Sequence, residues 1–227
     1  MSARVARFTA APSRICATPD GTPLQVGWQV VGDVIRPLAV GVVLQALAFS
    51  AGLAVPPAAA LSVLGFAIQA RGVATAWHAR LRSDPAHLGF VDLLVYTSLL
   101  LAPWWAVHAV VGSAAMVGIL AAWPVPDGSW WTATWLVSCG WLWLAFPAVL
   151  PVAGLAVLDV AVRGTSPLGA LFGAVGTAIR NPTLTALSVM LHAIALFALG
   201  MLTPLIVPLA LIVQIALLVR RLRDEPV

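Results

Sequence analysis

Six apolar runs occupy residues 38–55, 57–76, 100–123, 132–158, 183–200 and 202–219. A helix needs ~20 apolar residues to cross ~30 Å of hydrocarbon, and each run is close to or above that length. Lipid offers no water to backbone N–H and C=O groups, so such runs are confined to helices that satisfy their own. The fold class expected is all-α, a polytopic membrane protein with six transmembrane helices. Only 9% of the 227 residues are charged, against ~25% in soluble domains, which leaves no room for a water-soluble catalytic domain.

Arginine placement supplies a topology. All 12 basic residues are arginine. Arg4, Arg7, Arg14 and Arg36 precede the first run, and Arg71, Arg80 and Arg82 lie at the end of the second or just after it. Arg163 and Arg180 separate the fourth run from the fifth, while Arg220, Arg221 and Arg223 follow the sixth. The alternate connections, near Pro56-Pro57, 124–131 and 200–203, hold no basic residue and only Asp127. Arginine kept on the cytoplasmic face orients helices during insertion. Both termini are therefore expected in the cytoplasm, in a membrane of the prokaryotic inner type. The same logic explains the net charge of +4 through orientation and anionic lipid, so no nucleic-acid partner is expected. Cys16 and Cys139 are too isolated for a disulfide framework or a metal motif.

A repeat refines the architecture. Thr22-Pro23-Leu24 leads to Ile35-Arg36-Pro37, and Ser166-Pro167-Leu168 leads to Ile179-Arg180-Asn181-Pro182. Pro, Leu, Val, Gly, Ile and Arg recur without a gap, and Trp28 aligns with Phe172. A weaker copy starts at Asp84-Pro85 and ends at Pro103. Ser or Thr followed by Pro suits a helix start. Leu168, Leu171, Phe172, Val175 and Ile179 share one helical face, opposite Gly169, Gly173, Thr177 and Arg180. Such a helix belongs in the interface, with its arginine near phosphate, and the closing Pro turns the chain into the bilayer. The expectation is three transmembrane hairpins, each preceded by a short interfacial helix. The units are about 22–82, 83–163 and 164–220, behind a cytoplasmic tail of residues 1–21. Arg36, Arg180, Trp123, Trp130 and Trp131 are expected as interfacial anchors, with Trp28 and Trp77 as an opposite aromatic belt. Pro147 and Pro151 are expected to kink the fourth span.

From Leu142-Trp143 through Pro147, Pro151, Ser166-Pro167-Leu168, Arg180-Asn181-Pro182 and Thr203-Pro204, the chain resembles prokaryotic six-helix membrane families of unassigned function. These include the membrane domain joined to some glycerophosphodiester phosphodiesterases. The resemblance implies the fold; no phosphodiesterase domain is attached here, so that activity does not transfer.

Polar groups at membrane depth are the functional candidates. His108 and His192 fall mid-span in the third and fifth runs. Interhelical hydrogen bonding is the reading preferred for them, with haem or chlorophyll ligation as the alternative. Gln45 and Gln214 are expected to pair with each other or to face another subunit. Asp159 and Arg163 are spaced for an i,i+4 pair at the headgroup level. No GxSxG, HExxH or P-loop occurs, so no catalytic or metal-ligating residue is assigned. The expected function is non-enzymatic: an accessory, scaffold or assembly subunit partnered by the bilayer and other integral membrane proteins. A small-solute or lipid transporter, and a pigment- or haem-binding subunit, are the alternatives.

Overall fold

Two helices begin on the caps that the sequence spells out. Thr22 and Gln25 form a capping box: Gln25 N–H donates to Thr22 Oγ1 at 3.4 Å, and Thr22 N–H to Gln25 Oε1 at 2.9 Å. Ser166 Oγ accepts from Gly169 N–H at 3.2 Å. In both cases proline occupies the first turn, where a missing N–H costs nothing.

The computed structural model describes residues 18–50, 55–81, 89–102, 105–106, 146–197 and 203–224. The regular elements among them are all α-helices: α1 (Pro23–Asp33), α2 (Ile35–Ser50), α3 (Val55–Leu81), α4 (Phe90–Ala102), α5 (Phe146–Arg163), α6 (Pro167–Arg180), α7 (Pro182–Phe197) and α8 (Thr203–Asp224). α1 and α2 meet at Val34 with a bend of 90°, two residues before the break expected at Arg36-Pro37; Pro37 instead sits in the first turn of α2, where its missing N–H costs nothing. The α6–α7 break falls at Asn181, where the proline that follows disfavours helical backbone.

By length and composition, two described helices can cross a membrane: Ala59–Leu81 within α3 and Pro204–Asp224 within α8. A third is reached only if the bent α1–α2 pair is taken as one span. Phe90–Ala102 and Pro182–Ala195 are apolar but shorter. Six spans therefore do not emerge among the described residues. Residues 107–145, which hold most of the third and fourth runs, lie outside them, as do His108, Trp123, Trp130 and Trp131. Helical boundaries also depart from the runs. α3 continues past residue 76 through His78 and Arg80, and α4 begins at Phe90 rather than at residue 100. α5 runs on through Pro151 as one helix.

α5 and α8 form the centre. Every residue from Ala153 to Val162 and from Ala210 to Val219 is buried, the pattern of a helix enclosed on all sides. α5 packs against α3, α6, α7 and α8, while α8 also packs against α1, α2 and α7. One core joins Val26 and Val30 of α1 to Val73 and Trp77 of α3, Leu155 of α5, and Ile215 and Leu218 of α8. Trp77 is thus a core residue at 0% exposure, not part of a headgroup belt, because α3 extends far enough to seat it in this core.

The exposed faces separate two kinds of helix. α1 has three: Val26, Val30 and Val31 face inward, Leu24 and Trp28 are exposed and apolar, and Gln25, Gln29 and Asp33 are exposed and polar. α6 buries Ala170, Ala174 and Thr177, exposes Leu168, Phe172, Val175 and Ile179, and ends on exposed Arg180. Among its described side chains beyond the first turn, α2 instead shows only Ala39, Val40, Val43 and Leu47 outward. α7 shows Leu187, Met190 and Ile194.

α2 and α3 approach through Gly41 and Gly65. A Cβ on Gly41 would lie 2.9 Å from the Gly65 carbonyl oxygen, and one on Gly65 would lie 3.0 Å from that of Gly41. Gly41→Ala is expected to lower stability by about 1–3 kcal/mol through overpacking. Gly32→Ala, with no heavy atom within 4 Å of the new methyl, is expected to change it by less than about 0.5 kcal/mol. Melting of the two purified variants in detergent checks the contrast; equal melting points would refute the close approach.

Candidate functional site

Polar side chains inside the bundle fall into three groups. The first is an amide cluster. Gln45 of α2 donates through Nε2 to Gln69 Oε1 of α3 at 3.2 Å. Both are buried, as is Gln214 of α8. Gln45 therefore pairs with Gln69 rather than with Gln214. The Nε2 atoms of Gln69 and Gln214 have no partner among the described residues, and both residues border a cavity of about 10 Å³ beside Gly154 and Leu211. One water needs about 10–15 Å³, so no larger solute passes here. A Cβ at Gly154 would fall 2.5 Å from Gln214 Nε2, so a larger residue there would displace the Gln214 amide.

The second group is ionic. Asp159, 0% exposed on α5, accepts from Arg163 Nε at 2.5 Å and Nη2 at 3.0 Å. Thr165 Oγ1 donates to it at 3.1 Å, and Arg221 Nη1 of α8 stands 3.0 Å away. The expected i,i+4 pair is present, yet it is part of a buried four-residue network. Arg221 also donates to the Ala170 carbonyl of α6 at 3.2 Å and lies across Gly173, which has no space for a side chain. Its neighbours act on both bends of the chain. Arg220 donates to Asn181 Oδ1 at 2.8 Å, at the α6–α7 break. Arg223 donates to the Gly21 and Pro19 carbonyls at 2.8 and 3.3 Å, at the start of α1. Arg80 of α3 meets Asp33 at 2.6 Å and Gln29 at 3.0 Å, at the α1–α2 bend.

The third group is the histidines. His192 is buried and its Nδ1 lies 2.7 Å from the Ser188 carbonyl, one turn back in α7. Nδ1 must carry the proton to donate to a carbonyl, which leaves Nε2 as the basic nitrogen. The bond is within a helix, not between helices. His78, which sequence reasoning passed over because the apolar run ends at residue 76, ties α3 to α5 through Nε2 and the Val162 carbonyl at 2.9 Å.

Outside the bundle, Asp33, Pro37, Ile68, Arg71, Ala76 and Phe90 line a groove of about 510 Å³ between the α1–α2 bend, α3 and α4. Among the described residues no group of three or more His, Cys, Asp or Glu side chains can hold a metal ion. Gln69 was legible on the argument that singles out Gln45 and Gln214, an amide in an apolar run. The Asp159–Arg221 contact crosses 62 residues and carries no local signal. No known protein family, curated protein or solved structure gives a match to this chain.

Removing one member of a buried ion pair leaves the other charge uncompensated and costs about 3–5 kcal/mol. Asp159→Ala is therefore expected to destabilise the protein by that amount, with Asp159→Asn milder because it keeps hydrogen-bond acceptors. Thermal melting in mild detergent checks this. An Asp159→Ala variant that melts with the wild type would show that the network does not hold α5 to α8.

Proposed function

We propose that the chain is a non-enzymatic accessory or assembly subunit embedded in a cytoplasmic membrane, with six spans in three hairpins and cytoplasmic termini. The observation that carries this reading is the contrast between three-faced and two-faced helices. α1 needs a core, an apolar medium and water at once, a combination met at a bilayer interface. α2, bent 90° from α1, then runs along the membrane normal with Val40, Val43 and Leu47 outward. Gln45, His78 and Asp159 bond to neighbouring helices, His192 bonds within its own, and Gln69 and Gln214 border a space of one-water size. This supports a structural use for them more than a transport path. Exposed stripes on α2, α4 and α7 supply area for lipid and for neighbouring membrane proteins.

Purification in mild detergent tests the reading, with particle mass, co-eluting proteins and visible absorption measured together. The expected result is a complex with a partner in fixed stoichiometry. A colourless particle with the mass of one chain would remove the accessory role and favour a transporter. An absorption band lost in His108→Ala or His192→Ala would favour the pigment or haem subunit. For topology, reporter fusions after residues 82, 163 and 224 are expected on the cytoplasmic side, and one at residue 128 on the opposite side. A cytoplasmic signal at residue 128 would overturn the hairpin arrangement.

A further inference from the structure

The groove beside Arg71 has a composition that the subunit reading does not use. Its walls are mainly apolar, from Pro37 of α2, Ile68 and Ala76 of α3, and Phe90 of α4. Two charged residues border it. Asp33 is neutralised by Arg80 at 2.6 Å. Arg71 has no carboxylate partner among the described residues, and its guanidinium carbon stands 5.8 Å from the centre of the Phe90 ring. The ring offers no oxygen acceptor, so this contact does not use up the guanidinium's N–H donors, which can bind an oxyanion. Among the described residues the groove is therefore apolar with one cation that no carboxylate neutralises.

Its depth is set by the chain around it. A Cβ added to Gly72, next to Arg71, would come within 3.0 Å of the Pro37 side chain and 3.6 Å of that of Val34. Arg71 thus lies level with the α1–α2 bend. If α1 marks the interface, this is the boundary between headgroups and acyl chains. Ile68 continues the apolar wall one turn deeper, and the volume of about 510 Å³ falls within the 300–1,000 Å³ typical of small-molecule sites.

We propose that this groove binds one anionic phospholipid, its phosphate on Arg71 and the upper part of one acyl chain along Pro37, Ile68 and Phe90. The assignment rests on the membrane placement proposed above. A zwitterionic lipid carries a cationic group that Arg71 repels, so the site selects for net negative charge. One arginine near a membrane surface contributes about 1 kcal/mol toward anionic lipid, which corresponds to about fivefold in affinity.

The test uses the full chain in mild detergent, incubated with equal amounts of phosphatidylglycerol and phosphatidylcholine, with bound lipid read by native mass spectrometry. The expected result is one phosphatidylglycerol retained per chain, favoured about fivefold. Arg71→Gln is expected to abolish the preference, and Arg36→Gln, at an exposed arginine outside the groove, to keep it. Ala79→Trp places bulk in the groove from an exposed position on its wall and is expected to lose the lipid with Arg71 intact. The proposal fails if wild type holds both lipids equally, or if Arg71→Gln or Ala79→Trp retains the wild-type preference. It also fails if inorganic phosphate raises the melting temperature as much as phosphatidylglycerol does, since the ligand is then a free anion. Alkaline extraction of native membranes keeps the two readings apart. Release into the supernatant refutes the membrane placement, whereas retention without lipid selection refutes only the site.

Discussion

The carboxylate of Asp159 is the contact on which the arrangement of these helices depends. It sits on the most enclosed helix, at 0% exposure, and collects Arg163, Thr165 and Arg221. A buried charge is tolerated only when it is paired and hydrogen-bonded, so α8 must bring Arg221 to this place and no other. With Arg221 fixed, its reach to the Ala170 carbonyl and its position over Gly173 set where α6 can lie. Apolar packing of α5 and α8 is non-directional and tolerates many rotations of one helix on the other. The ion network specifies one.

The remaining arginines near it extend the same control to the ends of the amphipathic helices. Arg220 closes the α6–α7 break, Arg223 anchors the residues leading into α1, and Arg80 secures the α1–α2 bend. Read along the sequence, these residues serve as topological signals. In three dimensions each also satisfies a carbonyl, an amide or a carboxylate at a point where helical hydrogen bonding stops. Under the proposed membrane placement the two uses do not compete, because a charge that sets orientation stands beside bends at the same face. Arg71 is used differently: it meets the Phe90 ring and no acid among the described residues.

Local features were legible in the sequence and long-range ones were not. Thr22 and Ser166, with their prolines, announced both caps, and the Asn181-Pro182 break followed from backbone sterics alone. The outward stripe of Leu168, Phe172, Val175 and Ile179 followed from helical periodicity, although Leu171 turned out half-buried. Periodicity fails for α5 and α8, which are apolar on every side and so carry no stripe to orient. That is why Gln45 could be recognised as needing a partner while Gln69 was not chosen over Gln214. Trp77 misled for a related reason. Indole prefers headgroup level in general, but whether a given ring reaches it depends on which helix covers it.

The contacts of α1 also have a consequence for synthesis. Its core face, Val26 and Val30, packs on α8, and the Ile212 carbonyl lies where a Cβ on Gly27 would be. These partners are separated by about 185 residues, which at roughly 5–20 residues per second take on the order of 10–40 s to translate. Through that interval α1 can meet α2 and α3 but not the α8 surface that completes its core face. The nascent chain therefore closes this early helix last, and until then the part of its face that α8 covers is open to whatever holds newly made chains.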